Sequence, residues 1–124
     1  MRQERVQFFT DKEEEIVDLL TKIGIQTDVA KVLVFFASKQ EATSKDIEHR
    51  TDLRQTQISV ATRYLITRGW IKICKISGGP KGRPVKVYGR VKSIHEVMGV
   101  IEREKKKEFQ EQLAIIKKIK DYVA

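Results

Sequence analysis

The hydrophobic positions of this 124-residue chain follow a helical period, then a strand period, then a helical one again. Within residues 4–23, Ile16, Val17, Leu19, Leu20 and Ile23 form a stripe at helical spacing. Thr10-x-x-Glu13 reads as its capping box, Glu13, Glu14 and Glu15 suit the positive end of the helix dipole, and Gly24 stops it. Val6, Phe8 and Phe9 precede the cap, placed to reach across to another element. A second helix starts at Thr27-Asp28 and turns Val29, Val32, Leu33, Phe36 and Ala37 inward, as the backbone of a core. Gln40-Glu41-Ala42 leads out as a connector or short strand.

Residues 43–70 predict two short helices joined by a tight turn. Thr43-x-x-Asp46 caps the first, Ile47 points inward, and Thr51-Asp52 makes a polar turn. From Leu53 a second run places Ile58, Ala61, Thr62 and Leu65 on one stripe, and Gly69 supplies the left-handed cap. The opposite face carries Thr56, Gln57, Ser59, Val60, Arg63 and Thr67, with no acid among them. Solvated helix faces usually carry Glu–Lys pairs. Hydroxyls, amides, an arginine and a methyl group are instead what base edges in a DNA major groove require. A small helical hairpin that binds nothing would have the same spacing.

After Gly69 the period falls to two. Trp70–Ile76 is rich in β-branched residues and predicts a strand. Residues 77–84, with three glycines and two prolines, predict a loop. Val85–Val91 alternates, valines on one face and Lys86, Tyr88 and Arg90 on the other. A reading helix followed at once by a basic hairpin describes a winged helix. At the hairpin tip, Arg83 between Gly82 and Pro84 has little freedom left to lose, which with Lys81 suits a narrow A·T-rich minor groove. The plainer reading is a solvated surface turn.

Ser93-x-x-Glu96 opens a last helix that runs to about Tyr122, ~30 residues and ~45 Å long. Ile94, Val97, Met98 and Ile101 begin its apolar stripe, and Phe109, Leu113, Ile116 and Val123 continue it beyond the polar stretch 102–108, with Ile115 and Ile119 beside it. So long a helix cannot bury its far half on so small a domain. A second copy of the chain is the expected partner; folding back onto residues 6–20 is the alternative.

Charge sharpens the picture. The formal net charge is +8, yet residues 53–95 hold ten basic side chains and no carboxylate, while the remainder carries 15 basic and 17 acidic residues. A basic block beside a balanced remainder marks a face for a polyanion. Nucleic acid fits better than an anionic membrane, because the basic residues fall on strands and a loop rather than on an amphipathic helix. There is no run of about 18 apolar residues, and the first residues lack the apolar core of a signal peptide. Cys74 is alone, which fits a reducing compartment and predicts a cytoplasmic, nucleoid-associated protein. His49 and His95 are isolated, paired catalytic carboxylates and metal-ligand spacings are missing, and residues 78–82 lack the Gly-Lys-Ser/Thr ending of a phosphate loop. The expectation is a non-enzyme without metal or cofactor.

Asp52-Leu-Arg-Gln-Thr-Gln-Ile-Ser-Val-Ala-Thr-Arg-Tyr-Leu-Ile-Thr-Arg-Gly-Trp-Ile71, together with Lys81-Gly-Arg-Pro-Val-Lys-Val-Tyr88, resembles archaeal or bacterial winged helix-turn-helix transcriptional regulators of the broad MarR/TrmB type. The resemblance covers roughly residues 28–92. It implies that Arg54, Gln55, Thr56, Gln57, Ser59 and Arg63 contact DNA and that Arg83 is the wing contact. Two positions depart from the pattern: many relatives have proline where Thr56 stands and a basic residue where Val60 stands.

The expected architecture is therefore mostly α with a small β-hairpin wing: an N-terminal helix in 1–26, a winged helix-turn-helix in 27–92 and a dimerisation helix in 93–124. The expected function is that of a homodimeric, sequence-specific double-stranded DNA-binding transcriptional regulator, with Lys72, Lys75, Lys86 and Arg90 on phosphates. A low-specificity architectural or chromatin protein is the alternative, and a protein-interaction module with an acidic partner is a third class. The residues give no support for a small-molecule effector.

Overall fold

The computed structural model describes residues 9–79 and 82–124. Among them the order is α1 (Asp11–Lys22), α2 (Thr27–Ser38), β1 (Glu41–Thr43), α3 (Ser44–Thr51), α4 (Gln55–Thr67), β2 (Ile71–Gly78), β3 (Pro84–Arg90) and α5 (Ile94–Val123). The strands form one antiparallel sheet in the order β1-β3-β2. This is the winged helix arrangement, followed by a long C-terminal helix. The chain divides into two compact units, Met1–Ile94 and His95–Ala124.

Local signals set the helix ends. Thr10 Oγ1 accepts the Glu13 N–H at 3.2 Å while Glu13 Oε1 accepts the Thr10 N–H at 2.9 Å, so the predicted box caps α1. At the other end, Gly24 (φ 100°) lets the Ile25 N–H donate to the Leu20 carbonyl at 3.1 Å. Val17 and Leu20 are buried, but Leu19 and Ile23 are exposed, contrary to the predicted stripe. The apolar stripe is wider than the strip of α1 that its neighbour covers. Val6 and Phe8 lie outside the described residues, whereas Phe9 stands under the Arg50 guanidinium, 5.8 Å from its ring centre.

The second helix is buried on more sides than its sequence suggests. Val29, Ala30 and every residue from Val32 to Phe36 are covered, because α1, α3 and α4 all pack against it. Burial of each such large side chain stabilises by about 1.5–3 kcal/mol, which makes α2 the centre of the first unit.

The sheet corrects the predicted hairpin in two ways. First, pairing runs out to Gly78↔Pro84, so both strands invade the expected loop. Second, β3 is the central strand, and the face on which Lys86, Tyr88 and Arg90 lie is not an outer face at its base. Tyr88 is only 9% exposed and pairs with the buried Ala42 of β1, while the predicted inward Val91 is exposed. Strand alternation alone does not say which face is covered, and here both are at the base of β3: Val87 on one face and Tyr88 on the other are each 9% exposed, while Lys86 further out is exposed and Val91 stands beyond the strand's end. A register shift between Ile73 and Lys75 makes Cys74 a bulge. The Cys74 sulfur fills the space a Cβ would need at Gly89, so glycine is required there.

In the second unit, α5 is one continuous helix of 30 residues. Val97 and Ile101 are buried, which removes them from the free face on which they were expected to meet a partner. Phe109 (60% exposed), Leu113, Ile116 and Ile119 are open to solvent, as are Ile115 and Val123. Seven-residue steps from Ile101 reach Glu108 and Ile115, whereas the row Phe109, Ile116, Val123 stands one residue further, about 100° round the helix. Eighteen-residue steps, five full turns, nevertheless bring Ile115, Ile116 and Ile119 back to the directions of Val97, Met98 and Ile101, so the stripe continues through the far half and widens toward Phe109 and Leu113. Between them, Lys106–Glu102 (3.4 Å) and Lys105–Glu108 (3.6 Å) are exposed ion pairs that support the helix only weakly.

Candidate nucleic-acid interface

The helix pair α3–α4 is built by its turn. Thr43 Oγ1 accepts the Asp46 N–H and Asp46 accepts the Thr43 N–H at 3.0 Å, which fixes where α3 begins. Asp52 takes the left-handed conformation (φ 61°) that reverses the chain, a conformation aspartate tolerates better than most residues. The buried Thr51 hydroxyl donates to the Ile47 carbonyl at 2.7 Å and accepts the Leu53 N–H at 3.2 Å. Leu53, expected to start the second helix, is instead a buried plug in the turn, and α4 starts at Gln55.

Ile58, Ala61, Thr62 and Leu65 anchor α4 as the periodicity predicts, and the Thr62 hydroxyl is satisfied by the Ile58 carbonyl at 2.8 Å. Gly69 (φ 77°) closes the helix, with the Trp70 N–H donating to the Leu65 carbonyl at 3.0 Å. The Arg68 guanidinium lies 4.4 Å from the centre of the Trp70 ring.

On the outer side of α4, Arg54, Gln55, Thr56, Ser59 and Arg63 are exposed. Gln57 departs from its expected role. Its Oε1 accepts the Arg54 N–H at 2.9 Å and its Nε2 lies 3.4 Å from both oxygens of Asp28, so the side chain closes the helix start against α2. Arginine has no acceptor, so this cap works in one direction only. Gln55 Nε2 donates to Glu48 Oε1 of α3 at 2.8 Å. The block that is free of carboxylates in sequence thus has Glu48 and Asp28 beside it in space. Val60 is 59% exposed and, with Tyr64, edges a shallow groove beside Gly24–Gln26.

Lys72, Lys75, Arg83 and Lys86 are exposed, and Lys81 lies outside the described residues. The strand register separates the lysines. Without a bulge, Lys75 would share a face with Ile73; the shift at Cys74 turns it to the side of Lys72, while Lys86 faces the way of Ile73 and Ile76. Arg90 corrects the expectation outright. Its Nη1 donates to the carbonyls of Phe36 (3.0 Å) and Ala37 (3.1 Å), and its Nη2 donates to Gln40 Oε1 (2.9 Å). No basic residue lies in the last turn of α2, and Arg90 supplies the positive charge from a strand distant in sequence.

Several residues here escaped the sequence patterns. Arg50 of α3 holds Glu13 of α1 with two hydrogen bonds of 3.1 Å, while its buried Nε has no partner. Partial burial raises the Glu13 pKa, but the Thr10 N–H, the Arg50 hydrogen bonds and the Arg50 charge outweigh it, and the net shift is downward. A cleft of about 660 Å³ runs between α3 and the outer end of the wing, edged by Ser44, Lys45, Glu48, Gln55, Arg83 and Val85. It gathers two predicted DNA-contact residues, Gln55 and Arg83, with Lys45 and Glu48, which no periodicity singled out. Among the described residues no three His, Cys, Asp or Glu side chains form a metal set, and no helix is long and apolar enough to cross a membrane.

No family model matches the chain, and no curated protein matches it significantly. Among solved structures it is similar to a MarR family regulator from Neisseria meningitidis, with 16% sequence identity and a TM-score of 0.52. The match covers 81% of this chain and 68% of that one. At that identity the shared property is the fold.

Proposed function

We propose that this winged helix chain is a DNA-binding transcriptional regulator that acts as a homodimer in the cytoplasm. The observation that carries the reading is the outer side of α4, where short hydroxyls, an amide and arginines stand exposed beside a ribbon bearing exposed lysines and Arg83. Similarity in fold to a protein described as a MarR family regulator supports it.

In this reading α4 enters the major groove, with Thr56, Ser59 and Arg63 toward base edges and Arg54 toward the backbone. Arg83 and Lys81 reach the flanking minor groove, and Lys72, Lys75 and Lys86 meet phosphates. Phe109, Leu113, Ile116 and Ile119 pair with the same row of a second chain, which would give half-sites ~34 Å apart on a palindrome. Gel shifts over a salt series test the division of labour. Arg63→Ala should relax base preference, whereas Lys86→Ala should weaken every duplex alike and lower the salt slope by about one. Equal losses on specific and random duplexes for both variants would refute it. Selection from random duplexes decides against the architectural alternative if a motif is enriched.

A further inference from the structure

Glu48 is an acid at the edge of a surface read above as a polyanion site. A carboxylate there repels phosphate and weakens binding to any duplex, so its presence calls for a function of its own. Its contact supplies one. Glu48 Oε1 stands 2.8 Å from Gln55 Nε2, bridging the middle of α3 to the first residue of α4. An ionised carboxylate only accepts hydrogen bonds. At that distance the amide can turn nothing but its NH2 group toward Glu48, since the opposite orientation would set two oxygens against each other. Gln55 is exposed, half-buried Glu48 is not, and both edge the cleft beside Arg83.

We propose that Glu48 is a positioning residue that locks the Gln55 amide with its carbonyl oxygen outward and so sets a base preference at one position of the DNA site. The inference rests on the regulator reading. An outward acceptor matches the major-groove donors, adenine N6 and cytosine N4, and opposes guanine and thymine, which offer O6 and O4 acceptors there. With no partner, a glutamine amide rotates to suit donor or acceptor and discriminates less. Glu48 thus exchanges general affinity for choice.

The test is site selection from random duplexes by the full chain and by Glu48→Gln, Gln55→Ala and the double variant, with melting curves as a control of folding. The wild type should favour adenine or cytosine at one position by between about 5-fold and about 150-fold, the range of a good side-chain–base pair. Glu48→Gln should flatten that same position several-fold, leave the rest of the motif intact, and bind random duplex more tightly than wild type. Gln55→Ala should flatten the same position, and the double variant should add nothing further. A merely structural Glu48 would instead lower binding to all sequences alike, with a lowered melting point. A wild-type motif that survives Glu48→Gln unchanged overturns this inference alone. A wild-type selection without any enriched motif overturns the regulator reading and this inference with it.

Discussion

Arg90 is where a phosphate contact and a structural staple make opposite forecasts. Its three hydrogen bonds, of 3.0, 3.1 and 2.9 Å, tie β3 to the last carbonyls of α2 and to Gln40. A hydrogen bond to a charged group contributes about 1.5–3 kcal/mol. The three are not additive, and the carbonyls are partly open to water once the arginine is gone, so Arg90→Ala should cost about 2–3 kcal/mol rather than the full sum. In a domain of this size that is a fall of roughly 8–24 °C in melting temperature. Urea unfolding should show a lower midpoint with an unchanged slope, because the surface exposed on unfolding is the same. Arg90→Lys should recover only part of the loss, since an ammonium cannot fork between two carbonyls and an amide oxygen. DNA affinity of the folded fraction should keep its salt slope. A variant as stable as wild type, or a slope reduced by about one, would show that the arginine serves phosphate after all.

Three more outcomes are expected. Gly89→Ala places a Cβ on the Cys74 sulfur and should cost about 1–3 kcal/mol; in combination with Cys74→Ala most of that loss should disappear, as a double-mutant cycle by urea unfolding would show. Because the Glu13 pKa is lowered in the folded chain, its pairing stabilises fully above the ordinary carboxylate range and is lost as pH falls through the folded value; wild type should therefore lose more stability than Glu13→Gln on acidification from about pH 6 to below 4. Ile116→Asp on the exposed row of α5 should convert a dimer to a monomer in sedimentation equilibrium while the circular dichroism of the folded chain persists; an unchanged mass would remove that row from the proposed interface.

The sequence discloses those features whose causes are local. Capping boxes at Thr10 and Thr43, the left-handed glycines 24 and 69 and the buried stripe of α4 all depend on residues a few positions apart, and each is where the pattern puts it. What it hides is set by partners distant in the chain. The outward or inward sense of Tyr88 and Arg90 depends on β1 and α2, some fifty residues away, and period-two alternation carries no information on which face is covered. Gln57 looked like a reader of bases because nothing local announces Asp28 across the helix interface. Leu53 looked helical because a buried plug and a buried helix residue have the same hydropathy. In the candidate site, type and exposure were legible for Thr56, Ser59 and Arg63, while Glu48 and Lys45 needed the fold to bring them to the cleft.

The short β1 strand reaches β3 only at Val87, Tyr88 and Gly89. Beyond that point the wing is a two-stranded ribbon, a structure of marginal stability when nothing covers it. The wing is thus a cantilever clamped at one end by β1 and Arg90. Amide exchange along β3 should step upward from Val87 toward Val85, and the outer half can bend to meet grooves of different width without disturbing the helices at its root.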